Sequence, residues 1–400
     1  MSQVRFAPFI LPMALLASSS LGCAVKINRF DSVSGAPTAP NSIDSSTVSS
    51  SKVLVASDYG NSMLRSYVIE SGTRNLRAVS TYPTATRPHY LTGFKAAGSY
   101  FAYANDMASP NASIYGVSID LLSGEMTPLP TVSVPMAAGG NAEEIFHVRQ
   151  GLSHFLYIND VQNSAVYGFS INTSSGALTA LPGSPYNIAY GGSCSWGRMA
   201  ANSAGTRLYV SCEYDNPNDR ILGLSIGATG AITGQLPSSP YAMPAGSAPY
   251  DMALTPDEAT LYVSFAEASA IGAYSVDSSD GSLTSALPGS PFVSIVTGTV
   301  LGNLWLDPTL SQLYLSVFGS NTDDLQVFQV NGSRALSVAQ SPISASGGGS
   351  DVTGSLDGST VIFSSAGGGL GSYTRNPTTG TLSQNGALVP GTFDGVLLLE

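Results

Sequence analysis

The residues of this 400-residue chain that can do chemistry are few: three histidines, three cysteines and a sparse set of carboxylates. Glu143-Glu144 stand just ahead of His147, and His89 and His154 are the other two histidines. An imidazole beside a carboxylate can act as a general base. No HExxH, CxxC, P-loop or GxSxG motif accompanies them, so packing as hydrogen-bonded histidines is the competing reading. A second set appears once the chain is divided into repeats. Glu143 or Glu144, Asp251, Asp351 and Asp394 then fall at equivalent positions, with Arg198, Asn303 and Tyr90 or His89 completing the level. Carboxylates gathered at one level suit a hard divalent cation such as calcium. Asp251, Asp351 and Asp394 are its candidate ligands, with Arg198 available to pair with one carboxylate. A ligand-binding site would add His89, Glu144 and Asn303. The competing reading is a solvated channel mouth that is polar because water tolerates polar groups there.

What must position these residues is a repeat. Its clearest copy runs from Pro249 to Phe292, with four apolar runs, Tyr250–Leu254, Leu261–Phe265, Ile271–Val276 and Ser282–Leu287. Turn residues rich in Pro, Asp and Gly separate them, and runs of this length and composition predict strands. The second run recurs as Val53-Leu54-Val55, Phe101-Ala102-Tyr103, Leu156-Tyr157-Ile158, Leu208-Tyr209-Val210, Leu261-Tyr262-Val263, Leu313-Tyr314-Leu315 and Val361-Ile362-Phe363. A period of about 50 residues with four strands per period is the signature of a β-propeller. We label the strands a to d. The first copy lacks strand a, and Phe393–Leu397 at the other terminus matches Tyr250–Leu254. The expectation is an all-β, seven-bladed propeller of four-stranded antiparallel blades over residues 52–400, closed by the C-terminal strand joining the first blade.

Residues 1–23 have the form of an export signal: Arg5, an apolar core over Phe6–Ala17, and a small-residue end at Ser18–Gly22. Ser20-Leu21-Gly22-Cys23 resembles a bacterial lipobox, which makes Cys23 the expected lipidation site; ordinary cleavage that leaves Cys23 behind is the alternative. Residues 24–51, rich in Ser, Ala and Pro, predict a flexible tether. This implies a bacterial cell-envelope protein, extracytoplasmic and joined to the membrane only through its anchor. Cys194 and Cys212 flank one a–b turn, either as a disulfide or as two buried thiols. The net charge of −11 excludes the basic stripe that nucleic acid requires. A monomer with a small ligand or protein at the channel-mouth face is the expected assembly.

The period, the Leu-Tyr-Val form of strand b and the Pro-x-x-x-Ala-Leu-x-Pro-Asp form of Pro249–Asp257 resemble the seven-bladed lactonase-like propellers. These include the six-phosphogluconolactonase and YVTN-repeat families. The resemblance covers residues 53–400 and implies a lactonase-like hydrolase. The lactonase branch carries Gly-Pro-Arg-His on strand a and a Glu after the next strand b. Here Ser195-Trp196-Gly197-Arg198-Met199 and Glu213 stand at those places, with Arg198 where the His is expected. Glu213 and Arg198 are therefore the catalytic candidates that the resemblance supplies. Three functions stay open at this point: a binding propeller, a lactone hydrolase, and a cell-envelope scaffold without a ligand.

Overall fold

The computed structural model describes residues 52–96, 98–108, 110–160, 162–188, 194, 196–212, 219–293, 300–318, 324–345 and 347–400. The signal, Cys23, the tether and Glu213 lie outside the described residues. The strands form seven antiparallel sheets, each in the order a-b-c-d. In blade 5 strand a is Pro249–Leu254, b is Thr260–Phe265, c is Ala270–Val276 and d is Leu283–Ala286. Strand a of blade 1 is Phe393–Leu399, paired antiparallel to Lys52–Asp58 with Val53 opposite Leu399 and Ala56 opposite Val396. Each strand a touches the strands a of its two neighbours, including the one from the C-terminus, so the ring is closed.

Both faces of a blade are apolar, and the core lies between blades. Phe146, Phe155 and Tyr157 of blade 3 meet Leu208, Val210 and Leu222 of blade 4 in one buried cluster. Blades 7 and 1 share another, containing Ile362, Leu370, Phe393, Val396 and Leu54. A single blade would leave both of these surfaces in water, which is why the repeats must stack.

The tyrosine of strand b has a fixed task. Tyr103, Tyr157, Tyr209, Tyr262 and Tyr314 each donate a hydrogen bond to a backbone carbonyl in the c–d hairpin of the following blade, those of Gly176, Gly230, Gly281, Arg334 and Gly380. Burial raises the pKa of all five phenols. This corrects the alignment in blade 2, where Tyr103, not Ala102, is the equivalent of Tyr157. Two residues further on, at the end of strand b, seven side chains link blade to blade. Ser57, Asn105, Asn159, Ser211, Ser264, Ser316 and Ser364 donate to the carbonyls of His89, Ala142, Gly197, Tyr250, Gly302, Ser350 and Asp394 in the next strand a or just ahead of it. The circle is complete.

The Leu-Pro-x-Ser-Pro tails also become intelligible. In each of three blades the serine accepts a strand c amide, Ser184 from Gly168, Ser239 from Gly223 and Ser290 from Ala273. The chain then pairs a second time with strand c through Tyr186–Asn187, Tyr241–Ala242 or Phe292–Val293. These short fifth strands lay beyond the four-strand reading of the repeat.

Candidate functional site

The polar residues that the repeat aligned at the start of strand a are buried. Glu143, Glu144, Arg198 and Asp351 have no measurable exposure, and Asp251 and Asn303 have 1%. Water therefore does little to screen their charges, and each carboxylate needs partners inside the protein. Asp251 accepts from the amide of Met252 at 2.7 Å and from that of Leu304, in the next blade, at 2.7 Å. Asp351 repeats the pattern with Val352 at 2.8 Å and with Val396 of the closing strand at 3.0 Å. Glu144 accepts from the amide of Met199 across the blade 3 to blade 4 seam. Asn303 donates to the carbonyl of Ser350 at 2.6 Å. These side chains use their charge or amide to clamp one blade's inner strand to the next.

Asp394 does not stand at the level of Asp251. The residue two places beyond Val55 is Ser57, whose side chain accepts from the amide of Gly395 at 2.7 Å, as Ser264 does from Asp251 and Ser364 from Asp351. Gly395 is thus the register equivalent. The pairing of the closing strand shifts between Ala56 and Asp58, which displaces the local motif by one residue. Asp394 lies instead beside His89, with Oδ2 3.2 Å from Nδ1. Among the described residues no group of three or more His, Cys, Asp or Glu side chains is arranged to hold a metal ion.

Arg198 is the centre of the level. It is the largest fully buried side chain among the described residues, and its own backbone is held by Ser211, which accepts the Arg198 amide at 2.8 Å. Its guanidinium lies between two phenol rings, 4.5 Å from the centroid of Tyr90 and 4.5 Å from that of Tyr250. Nη2 donates to both hydroxyls, at 3.0 Å for Tyr90, and Nη1 donates to the carbonyl of Gly197 at 3.2 Å. Glu143 Oε2 is 3.9 Å from Nη1. Blades 2, 3, 4 and 5 each supply one member of this cluster. Stacking between aromatic faces suits the planar, weakly hydrated guanidinium, and a lysine could not replace it. The sequence placed Arg198 here but did not disclose Tyr90 and Tyr250 as its partners, which lie 108 and 52 residues away.

The other candidates lie apart from this cluster. His147 Nε2 and His154 Nδ1 are 2.9 Å apart, and both rings stack on Phe94 at 4.4 Å. They form a packed aromatic group between blades 2 and 3, and the Glu143-Glu144 pair ahead of His147 is engaged elsewhere. Cys194 and Cys212 are joined as a disulfide, with Cα atoms 5.2 Å apart. The bridge closes the segment that leads into Arg198 onto the end of strand b, and a loop of 18 residues of this kind contributes about 3 kcal/mol.

The sequence matches no protein-family model and no curated protein. Solved structures do match. A putative 6-phosphogluconolactonase from Bacteroides fragilis is 15% identical, with 89% of this chain and 100% of that one covered at a TM-score of 0.70. The periplasmic gluconolactonase of Pseudomonas aeruginosa is 15% identical, with 88% and 99% covered at a TM-score of 0.71. A putative 6-phosphogluconolactonase from Bacteroides uniformis is 17% identical, with 88% and 100% covered at a TM-score of 0.68. The chain thus has the fold of the lactonase-like seven-bladed propellers.

Proposed function

We propose that the protein binds a lactone at its channel-mouth face and hydrolyses it. The observation that carries this is the Arg198 cluster, a cation fixed at the start of the inner strands by two tyrosines and a glutamate from three other blades. Hydrolysis of a lactone builds negative charge on the carbonyl oxygen, and fixed donors in a dry site stabilise that charge most. Tyr90 and Tyr250 accept hydrogen bonds from the guanidinium. Each phenol is thereby polarised by the cation behind it. The names of two structural neighbours, a gluconolactonase and a putative 6-phosphogluconolactonase, support a sugar-acid lactone as the substrate class. Glu213 remains a candidate for the same face through its place in the sequence.

The test is a panel of aldonolactones, with and without a phosphate, incubated with the soluble ring in a pH-indicator assay. Hydrolysis above the buffer rate is expected, and Tyr250→Phe should lower it by about 10²-fold, the usual cost of one oxyanion donor. No turnover, with a lactone-dependent rise in melting temperature, would favour the binding reading instead. No turnover and no shift would favour the scaffold reading. Calcium belongs in the same thermal series: a rise that Asp351→Asn abolishes would support a divalent-cation site.

We also propose that the protein works outside the cytoplasm on a lipid anchor at Cys23. The buried Cys194–Cys212 disulfide supports an oxidising compartment. Cys23→Ser should move the protein from the membrane fraction to the soluble one. Equal partition of both forms into detergent would refute the anchor.

A further inference from the structure

We propose that His89 is the general base of this site and Asp394 its positioning residue, an assignment that rests on the lactone-hydrolase reading. The two side chains come from opposite ends of the chain. His89 leads into strand a of blade 2, and Asp394 belongs to the strand that closes blade 1. Nδ1 of His89 lies 3.2 Å from Oδ2 of Asp394, and the side chains are 5% and 0% exposed. The N–H line is not yet aligned as a hydrogen bond, a common state of catalytic pairs before substrate binds. A carboxylate at Nδ1 selects the tautomer with its proton there, which leaves the lone pair on Nε2.

The pair is held rigidly. One hydroxyl, Ser57 Oγ, donates to the carbonyl of His89 at 2.7 Å and accepts from the amide of Gly395 at 2.7 Å. It thereby fixes the backbone on both sides of the contact. The edge of Tyr59 meets the imidazole at 4.5 Å between centroids, and Arg87 holds the Tyr59 hydroxyl at 2.9 Å. This is more support than a histidine needs to fill space. It is the orientation that general-base catalysis requires. The imidazole is also next to the proposed oxyanion donors. Its ring is 5.8 Å from that of Tyr90, whose ring Arg198 overlies at 4.5 Å.

The step balances without a cofactor. Nε2 takes a proton from water as the water oxygen bonds to the lactone carbonyl carbon. The tetrahedral intermediate carries its negative charge toward Tyr90, Tyr250 and Arg198. Its collapse breaks the bond between the carbonyl carbon and the ring oxygen. The departing oxygen takes the proton back from Nε2, and the product is the hydroxy acid. His147 and His154 lie apart from this cluster, paired with each other and stacked on Phe94.

The experiment measures kcat and KM of wild type, His89→Gln and Asp394→Asn on whichever panel lactone wild type hydrolyses, with melting temperatures recorded for all three. His89→Gln is expected to lower kcat by about 10² to 10⁴-fold, the range for losing a general base, with KM within about threefold. Asp394→Asn should lower kcat with KM unchanged, because it disturbs orientation and not binding. If His89→Gln folds and retains kcat within about threefold, the assignment is overturned and the hydrolase reading survives. If kcat and KM worsen together in step with a lower melting temperature, the pair is structural and the assignment fails. If wild type hydrolyses no lactone, the hydrolase reading fails and this assignment fails with it.

Discussion

Deletion of residues 391–400 is expected to leave the chain insoluble or unfolded at 25 °C. Every residue of Phe393–Leu399 is buried, and Phe393, Val396, Leu397, Leu398 and Leu399 are the apolar ones. At about 1.5–3 kcal/mol for each fully buried side chain, their loss is on the order of 10 kcal/mol. A whole domain is stable by only about 5–15 kcal/mol. The deletion also strips partners from three blades. Asp351 of blade 7 loses the Val396 amide, Ser57 of blade 1 loses the Gly395 amide, and Tyr100 of blade 2 loses the Glu400 carbonyl. Strand b of blade 1 becomes an open edge, which invites aggregation. A truncated protein that stays soluble and melts with the full-length form would show that the ring does not depend on this strand.

Replacing Arg198 by methionine is expected to destabilise the fold by about 3–5 kcal/mol, because it leaves Glu143 buried without its cation. It also empties the space between the Tyr90 and Tyr250 rings of its stacked plane. The double variant Arg198→Met with Glu143→Gln removes the stranded charge together with the cation. It should therefore recover a substantial part of the loss, as buried ion pairs replaced by neutral groups generally do. Urea midpoints of the four combinations give the coupling directly. Additive effects would mean that the 3.9 Å pair contributes nothing, and that the aromatic sandwich alone holds Arg198.

The polar residues at the start of strand a illustrate how a level can be read while its backbone partners are not. Asp251 and Asp351 share a repeat position, which pointed to a gathering of charge around water. Each takes an amide from the neighbouring blade, a use that depends on the backbone beside it and not on its own repeat. Asp394, matched by its local motif, sits one residue off because the closing strand pairs with a shifted register.

What the amino-acid sequence determined alone was the architecture. Seven copies of an alternating four-strand unit, and a strand displaced from the first copy to the last residues, specify a closed seven-bladed ring. Each blade's pattern is local, and burying both of its faces has one common solution. The tertiary structure decided everything that crosses a seam. It set Arg198 between Tyr90 and Tyr250, His89 beside Asp394 at the far end of the chain, and Ser57 across the backbones of both. These contacts pair side chains carried by different blades. Their geometry arises only when the ring closes, so no periodicity along the chain encodes it.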